Sequence, residues 1–159
     1  DGVIAPIFWA LAFGFPGILF YKIVNTLDSM VGYKNERFQD FGWASARLDD
    51  FINWIPARIT AIVISALTSN PLKAFLFANK NSVASPSPNA GWPQSAMAYA
   101  LKISLMGQKT FNGLIINQPS INEYAPAPQR QKLREALNFY KKIVILVIVI
   151  LTAFGFLWG

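Results

Sequence analysis

An uncharged stretch opens the chain. Residues 3–21 contain no charged side chain, and about 20 apolar residues are enough for a helix to cross the hydrocarbon of a bilayer. Pro and Gly break helices unless neighbouring groups satisfy the freed backbone. The pattern therefore predicts a membrane helix that is kinked or broken by the Pro and Gly residues within it, which are Pro6, Gly14, Pro16 and Gly17.

A second uncharged stretch closes the chain. Residues 143–159 follow Lys141 and Lys142 and include Trp158, an arrangement typical of a membrane span with its interface anchors. The preceding residues 130–142 have helical character, with five basic side chains and one acidic one. The pattern predicts a basic helix that leads directly into a span.

The middle of the chain holds shorter apolar pieces. A helix is predicted over residues 43–67 with a bend near Pro56, and the breaker Ser69-Asn70-Pro71 separates it from a second apolar piece. Residues 59–78 fit either a strained span or a re-entrant segment buried in protein. The remaining segments are predicted to be a Ser-, Pro- and Asn-rich loop over 79–93, a helix over 94–106 and a surface loop over 107–129.

Composition agrees with a membrane protein. Hydrophobic residues make up 53% of the chain and charged residues 14%, whereas about 25% of a typical soluble domain is charged. The chain has no cysteine and no histidine, so thiolate nucleophiles, imidazole bases and zinc sites are excluded. Any metal would be a hard cation such as Mg²⁺.

These patterns together predict the fold class. We expect an all-α, multi-span integral membrane protein with a possible re-entrant central segment, in which residues 1–159 belong to one domain. The basic residues flank apolar segments, as they do in proteins that contact membrane lipid. We therefore expect a lipid environment and no nucleic-acid partner.

Polar chemistry is concentrated in residues 25–60. This window contains five of the eight acidic residues of the chain, four basic residues and six interleaved aromatic residues. Charged side chains beside a membrane are costly to bury unpaired and are functional candidates by default. The acidic residues are Asp28, Glu36, Asp40, Asp49 and Asp50, the basic ones are Lys34, Arg37, Arg47 and Arg58, and the aromatic ones are Tyr33, Phe38, Phe41, Trp43, Phe51 and Trp54.

The two adjacent aspartates have different helical phases. On a helical wheel Asp50 shares a stripe with Arg47 and Arg58, whereas Asp49 lies off this stripe. Asp50 is therefore either a site carboxylate or an ion-pair partner of these arginines, and the phase of Asp49 favours a site role. Because Asp50 shares the stripe with Arg47 and Arg58, Asp50→Asn is expected to lower the folded yield more than Asp49→Asn.

Several other candidates have both a structural and a functional interpretation. Asp28 is either a polar helix end or a site carboxylate. Lys34 and Arg37 form either a solvated charge run or a set of donors for phosphate oxygens. The prolines near Asn89 and Trp92 indicate either a rigid connector or a pre-ordered contact loop. The aromatic residues are either packing or an apolar floor for a large flat ring.

Three segments resemble the CobD/CbiB family, the membrane-bound adenosylcobinamide-phosphate synthases of cobalamin biosynthesis. They are the opening DGVIAPIFWAL, the window NTLDSMVGYKNERFQDFGWASARLDDFINWIPARIT and the loop SPNAGWP. The resemblance covers residues 1–106, and the closing basic helix and span agree in kind. Ser85 and Gln94 depart from the family pattern, in which histidine and an acidic residue are common. Family members are longer, so the resemblance implies a C-terminal portion that is inactive without a missing N-terminal half.

The resemblance implies a carbon–nitrogen ligase that uses ATP and Mg²⁺. Its substrates would be a corrinoid, adenosylcobyric acid, and aminopropanol or its phosphate, and its multi-pass chain would lie in the inner cell membrane with the site loops facing the cytoplasm. The implied catalytic residues are Asp28, Glu36, Asp49 and Asp50, the metal ligands are Asp28 and Asp49, and the substrate-binding residues are Lys34, Arg37, Arg47, Trp43, Asn89 and Trp92.

The alternative is a non-catalytic AmpE-like membrane signalling protein, which has no need for this set of acidic residues together with the NAGWP loop. Transport of a corrinoid is a third interpretation.

Overall fold

Helices dominate the computed structural model, which describes residues 2–31, 39–111 and 114–158. Lys34, Glu36 and Arg37 lie outside the described residues. A 3₁₀ turn, Ser82–Ala84, joins the third and fourth helices. The α-helices are α1 (Ile4–Val31), α2 (Gln39–Ala66), α3 (Pro71–Asn81), α4 (Gly91–Leu101) and α5 (Arg130–Trp158).

The first helix reverses direction at Gly14. Its backbone angles, φ 65° and ψ −148°, belong to a region that only glycine adopts readily. Trp9 and Tyr21 lie on opposite sides of this glycine, yet they hydrogen-bond to the adjacent residues Ile52 and Asn53 of α2. A straight helix would separate them by about 18 Å. The predicted break is thus confirmed, and α1 consists of two arms, residues 4–13 and 15–31, that pack side by side.

Close packing holds the two arms together. The Trp9 and Phe20 ring centroids are 6.1 Å apart across the reversal. A Cβ on Gly17 would collide with the carbonyl oxygen of Trp9, so the second arm approaches the first at backbone distance. Ala5, from the start of the first arm, is buried in one cluster with Tyr21 and Val24 of the second. The arms therefore form an antiparallel hairpin.

Pro56 lies inside α2, which continues from Gln39 to Ala66. Proline has no N–H, so the carbonyl of Ile52, four residues earlier, loses its helical donor. The Trp9 indole N–H donates to this carbonyl oxygen at 3.2 Å. The first arm of α1 thereby satisfies a buried backbone group that the sequence of α2 leaves without a partner.

The third and fourth helices form a second antiparallel pair. The Asn70 side chain accepts a hydrogen bond from the Lys73 backbone N–H at 3.1 Å and caps α3, and Pro71 occupies the first helical turn, where its missing N–H costs nothing. Gly91 begins α4 against the backbone of Ser82, where a Cβ would collide. Residues 59–78 thus form the end of α2, a turn and most of α3. Their re-entrant placement in the membrane stays a prediction.

The segment after α4 differs from the prediction. The helix predicted over 94–106 ends at Leu101, because Lys102 takes a left-handed conformation, φ 54°. The predicted surface loop contains two antiparallel ladders, so the chain is mostly helical but not entirely so. The strands are β1 (Leu105–Met106) paired with β4 (Ser120–Ile121), and β2 (Lys109–Phe111) paired with β3 (Leu114–Ile116).

The last helix runs antiparallel to α2. Phe139 lies near Leu67 at the C-terminal end of α2, whereas Val147 and Leu151 share an apolar cleft with Ile59 and Val63, about one to two turns earlier in α2. In the described part of the chain, two helical segments are long and apolar enough to cross a membrane, Ile4–Val31 and Arg130–Ala153. The confirmed features are thus a helical majority and two candidate spans.

We expect Gly17→Ala to lower the thermal unfolding midpoint of the detergent-purified protein. The added Cβ meets the Trp9 carbonyl oxygen, so the arms must separate and lose packing, a strain of about 1–3 kcal/mol. Gly2→Ala is the matched control, because a Cβ there has nothing within 4 Å. Equal midpoints for the two variants would contradict the close packing of the arms.

Candidate functional site

A ladder of polar side chains joins α1 to α2. The Tyr21 hydroxyl donates to the Asn53 side-chain oxygen at 3.2 Å. The Asn53 amide donates to one Asp49 carboxylate oxygen at 2.9 Å, and the Asn25 amide donates to the other at 3.3 Å. The ladder forms because Tyr21 and Asn25 are one turn apart on α1 and Asp49 and Asn53 are one turn apart on α2.

Asn89 connects the proline-rich loop to α2. Its side-chain N–H donates to the Asp50 backbone carbonyl at 2.8 Å and to the Asp50 carboxylate at 3.4 Å. Its side-chain oxygen accepts from Arg58 at 3.1 Å. Asn89 is 5% exposed, so this bridge is a buried contact. The structure thus brings the predicted loop to the predicted window.

Arg58 is held by two indole rings. Its guanidinium carbon lies 4.3 Å from the centroid of Trp54 and 4.8 Å from that of Trp92, within the range of cation–π attraction. It also donates to the Trp54 backbone carbonyl at 2.7 Å. Burial lowers the pKa of Arg58, but an arginine remains charged at neutral pH.

The ion pairs expected for Asp50 do not form. Within the residues that the structure describes, the only salt bridge joins Lys132 and Glu135 on α5. Arg58 turns instead to Asn89 and to the indoles, and Arg47 lies over the Trp43 ring at 5.8 Å. Burial, followed by the negative charge of Asp49, raises the pKa of Asp50, and the positive charge of Arg47 only partly offsets these two effects.

Asp28 lies in the last turn of α1 and is half-buried. The negative charges of Asp49 and Asp50 both act on it, so the three carboxylates share one end of the bundle. Across residues 2–31, 39–111 and 114–158, no hydrogen bond or ion pair holds the Asp28 carboxylate. Toward the described part of the chain, its oxygen acceptors are therefore open.

The acidic residues do not form a complete metal cage by themselves. Among the described residues, no group of three or more acidic side chains could hold a metal ion. Mg²⁺, however, commonly binds one or two protein carboxylates and takes its other ligands from substrate phosphates and water. Asp28 and Asp49 fit such a partial ligand set, because each retains carboxylate lone pairs.

The structure brings together most of the predicted site residues that it describes. Asp28, Asp49, Asp50, Asn89 and Trp92 meet at the acidic end of the bundle, whereas Trp43 and Arg47 pair with each other nearby on the exposed start of α2. The predicted positions Lys34, Glu36 and Arg37 lie outside the described residues.

Five residues that the structure places in or beside the cluster are not among the catalytic, metal-binding and substrate-binding residues that the resemblance implies. Polar residues four positions apart on each helix were the sequence signal that could have revealed the ladder. The helical stripe through Asp50 likewise contains Trp54 and Arg58. The unassigned residues are Tyr21, Asn25, Asn53, Trp54 and Arg58.

The fold and the site define a class: a mostly helical protein with long apolar helices and an acidic, amide-rich and indole-rich cluster at one end. Comparison with known proteins makes this more specific. The family model described as CobD/CbiB protein matches residues 1–140, and the chain belongs to this family.

Three similar proteins carry the name cobalamin biosynthesis protein CobD. The one from Rhodobacter capsulatus is 39% identical over the whole chain and 51% of its own length. That from Halalkalibacterium halodurans is 39% identical over 98% of the chain and 50% of its length. That from Pelobacter propionicus is 49% identical over 82% of the chain and 40% of its length. The chain spans about half the length of the curated relatives it matches. No solved structure matches it.

We expect Asp49→Asn to destabilise the protein more than Asp50→Asn. Asparagine at position 49 turns an N–H₂ group toward an amide donor from Asn25 or Asn53, and the lost hydrogen bond costs about 1–3 kcal/mol. Asparagine at position 50 keeps an oxygen that accepts from Asn89. An ion-paired Asp50 would give the opposite result, with the greater loss of stability for Asp50→Asn.

Thermal unfolding of both variants in detergent measures the difference. The exposed Glu123→Gln is the matched control for an acid-to-amide change. A larger loss for Asp50→Asn would restore an ion-paired role for that residue.

Proposed function

We propose that this chain carries part of the site of an ATP-dependent ligase that forms an amide bond in cobalamin biosynthesis. The names of the relatives support a corrinoid substrate. The observation that carries the proposal is the Asn89 bridge to Asp50 and Arg58, because it joins the two segments whose residues suit this chemistry. The substrates would be adenosylcobyric acid and aminopropanol or its phosphate.

Activation of the corrinoid carboxylate would use the acidic end of the bundle. A propionate oxygen attacks the γ-phosphorus of ATP, ADP leaves, and an acyl phosphate forms. Asp28 and Asp49 would hold a Mg²⁺ ion, which when bound would supply neutralising charge for the transferring phosphoryl group. The nearby arginines and the predicted donors Lys34 and Arg37 would contact phosphate oxygens.

Amide formation needs an uncharged amine. The ammonium group of aminopropanol must lose a proton before it displaces phosphate from the acyl phosphate. A carboxylate with a raised pKa is a better proton acceptor than an ordinary one, and the pKa of Asp50 is raised by burial and by Asp49. Asp50 would therefore serve as the base, with Asn89 as its positioning residue. Glu36 stays a second candidate.

The exposed aromatic residues of α2 suit the corrin ring. Trp43, Phe51 and Trp54 are 65%, 76% and 55% exposed, which is unusual for side chains of this size in a bundle. They lie within about two helical turns of Asp49 and Asp50 along α2. An AmpE-like signalling role would give these exposed rings and acidic residues no purpose, and the relatives are named for biosynthesis.

We expect Asp28→Ala in the intact protein to reduce amide formation by about 100-fold or more. No residue that the structure describes hydrogen-bonds to the Asp28 side chain, so the variant should still fold and enter the membrane. Activity is measured as ATP-dependent incorporation of labelled aminopropanol into the corrinoid across a range of Mg²⁺ concentrations. Glu123→Ala, an exposed acid in a different segment, is the control. Activity within a few-fold of the unmodified protein would remove Asp28 from the mechanism.

Use of ATP requires the acidic end to face the cytoplasm. Basic residues occur at both ends of the bundle, for example Arg47 and Lys141, so the positive-inside rule does not choose between the orientations. We expect a cysteine at Val83, which is 85% exposed beside the Asn89 loop, to react with an impermeant thiol reagent only from the cytoplasmic side. Ser87, in the same loop, is a less suitable position for a cysteine, because its hydroxyl accepts hydrogen bonds from the Asn89 and Ala90 backbone N–H groups.

A cysteine at the fully exposed Tyr124 serves as the reference for the opposite end of the bundle. Labelling of Val83→Cys only from the outer side would contradict the cytoplasmic site.

A further inference from the structure

The reversal at Gly14 changes what the first apolar helix can do in a membrane. By length and hydropathy, Ile4–Val31 qualifies as a span. The first arm, residues 4–13, is only about 15 Å long, however, and the hydrocarbon core is about 30 Å thick. Because the second arm returns alongside the first, the two ends of α1 lie on the same side of its tip.

The tip of this hairpin exposes large apolar side chains. Phe13 and Phe15, on either side of Gly14, are 64% and 76% exposed, and Leu11 is 59% exposed. The charged residues of α1 come later, where the second arm returns to α2: Lys22 and Asp28. A hairpin with an uncharged tip and a polar base matches the polarity change from hydrocarbon to the membrane interface.

A neighbouring helix places the first arm in an apolar environment. Four residues of this arm, from Ile4 near its start to Leu11 near the tip, line one apolar cleft with residues of α5, among them Val147 and Leu151. These α5 residues lie within Arg130–Ala153, which is long and apolar enough to cross the bilayer. A membrane that α5 crosses therefore also surrounds the first arm up to its tip, whereas the second arm continues beyond it to the polar residues around Asp49.

We propose that α1 does not cross the membrane but inserts as a re-entrant hairpin, whose exposed tip at Leu11, Phe13 and Phe15 contacts lipid hydrocarbon. Backbone irregularity is confined to the reversal itself, where Gly14 is the one non-helical residue of α1 and Pro16 contributes no N–H that would need a partner in lipid. Residue 2 and the acidic cluster then face the same side.

Single cysteines test this arrangement in the intact protein, because this chain contains no cysteine of its own. Gly2→Cys and Met30→Cys mark the two ends of the hairpin; Met30 is 73% exposed. We expect an impermeant maleimide to label both from the same side of sealed membrane vesicles. Labelling from opposite sides would show that α1 crosses the membrane and would overturn the proposal.

A second measurement tests the lipid contact. A fluorophore attached at Phe15→Cys should be quenched by lipids brominated in the middle of their acyl chains, and a fluorophore at Met30→Cys should not. Leu11→Cys is a second tip variant if Phe15→Cys does not fold. Free reaction of the tip cysteine with the aqueous maleimide, or a tip probe that the brominated lipid does not quench, would overturn lipid as the occupant.

Discussion

The position of the candidate site depends on one hydrogen bond, from the Trp9 indole to the Ile52 carbonyl. Pro56 removes the helical donor of this carbonyl, and an unpaired buried carbonyl costs about 1–3 kcal/mol. The indole restores the partner and at the same time fixes the first arm of α1 against α2. Because the second arm packs on the first, Tyr21 and Asn25 then lie beside Asn53 and Asp49.

Asn89 provides the second constraint, between the loop and α2. An amide can accept a hydrogen bond from an arginine and donate one to a carboxylate at the same time, which neither an acid nor a lysine can do when ionised. Asn89 uses both capacities, toward Arg58 and Asp50. The site therefore depends on contacts between segments about 30 to 40 residues apart, although the acidic residues themselves lie close together in sequence.

The sequence predicted which polar residues lie together better than it predicted the path of the chain. Charge density and family resemblance located Asp28, Asp49, Asp50 and Asn89, because these depend on residue type. The Gly and Pro residues of α1 predicted that this helix is broken. They did not predict the angle of the break, because that angle depends on the backbone conformation that Gly14 adopts. The ion pairs expected of Asp50 failed for a similar reason: helical phase places Arg58 near it, whereas two indoles and Asn89 decide where the guanidinium points.

The hydrogen-bond partners of Asp49 and Asp50 explain why the acidic end of the bundle suits a cation. Asp49 is held by the amides of Asn25 and Asn53, and Asp50 by that of Asn89. Amides stabilise a carboxylate without neutralising its charge, whereas a salt bridge would cancel much of it. Arg58, the cation closest to the bridge, is occupied by carbonyl, amide and indole groups. Two negative charges thus remain near the Asp28 carboxylate, to which no described residue is hydrogen-bonded, and a positively charged ligand would relieve their repulsion. Mg²⁺ and the ammonium group of an amine substrate, the two cations that the proposed reaction requires, both meet this condition.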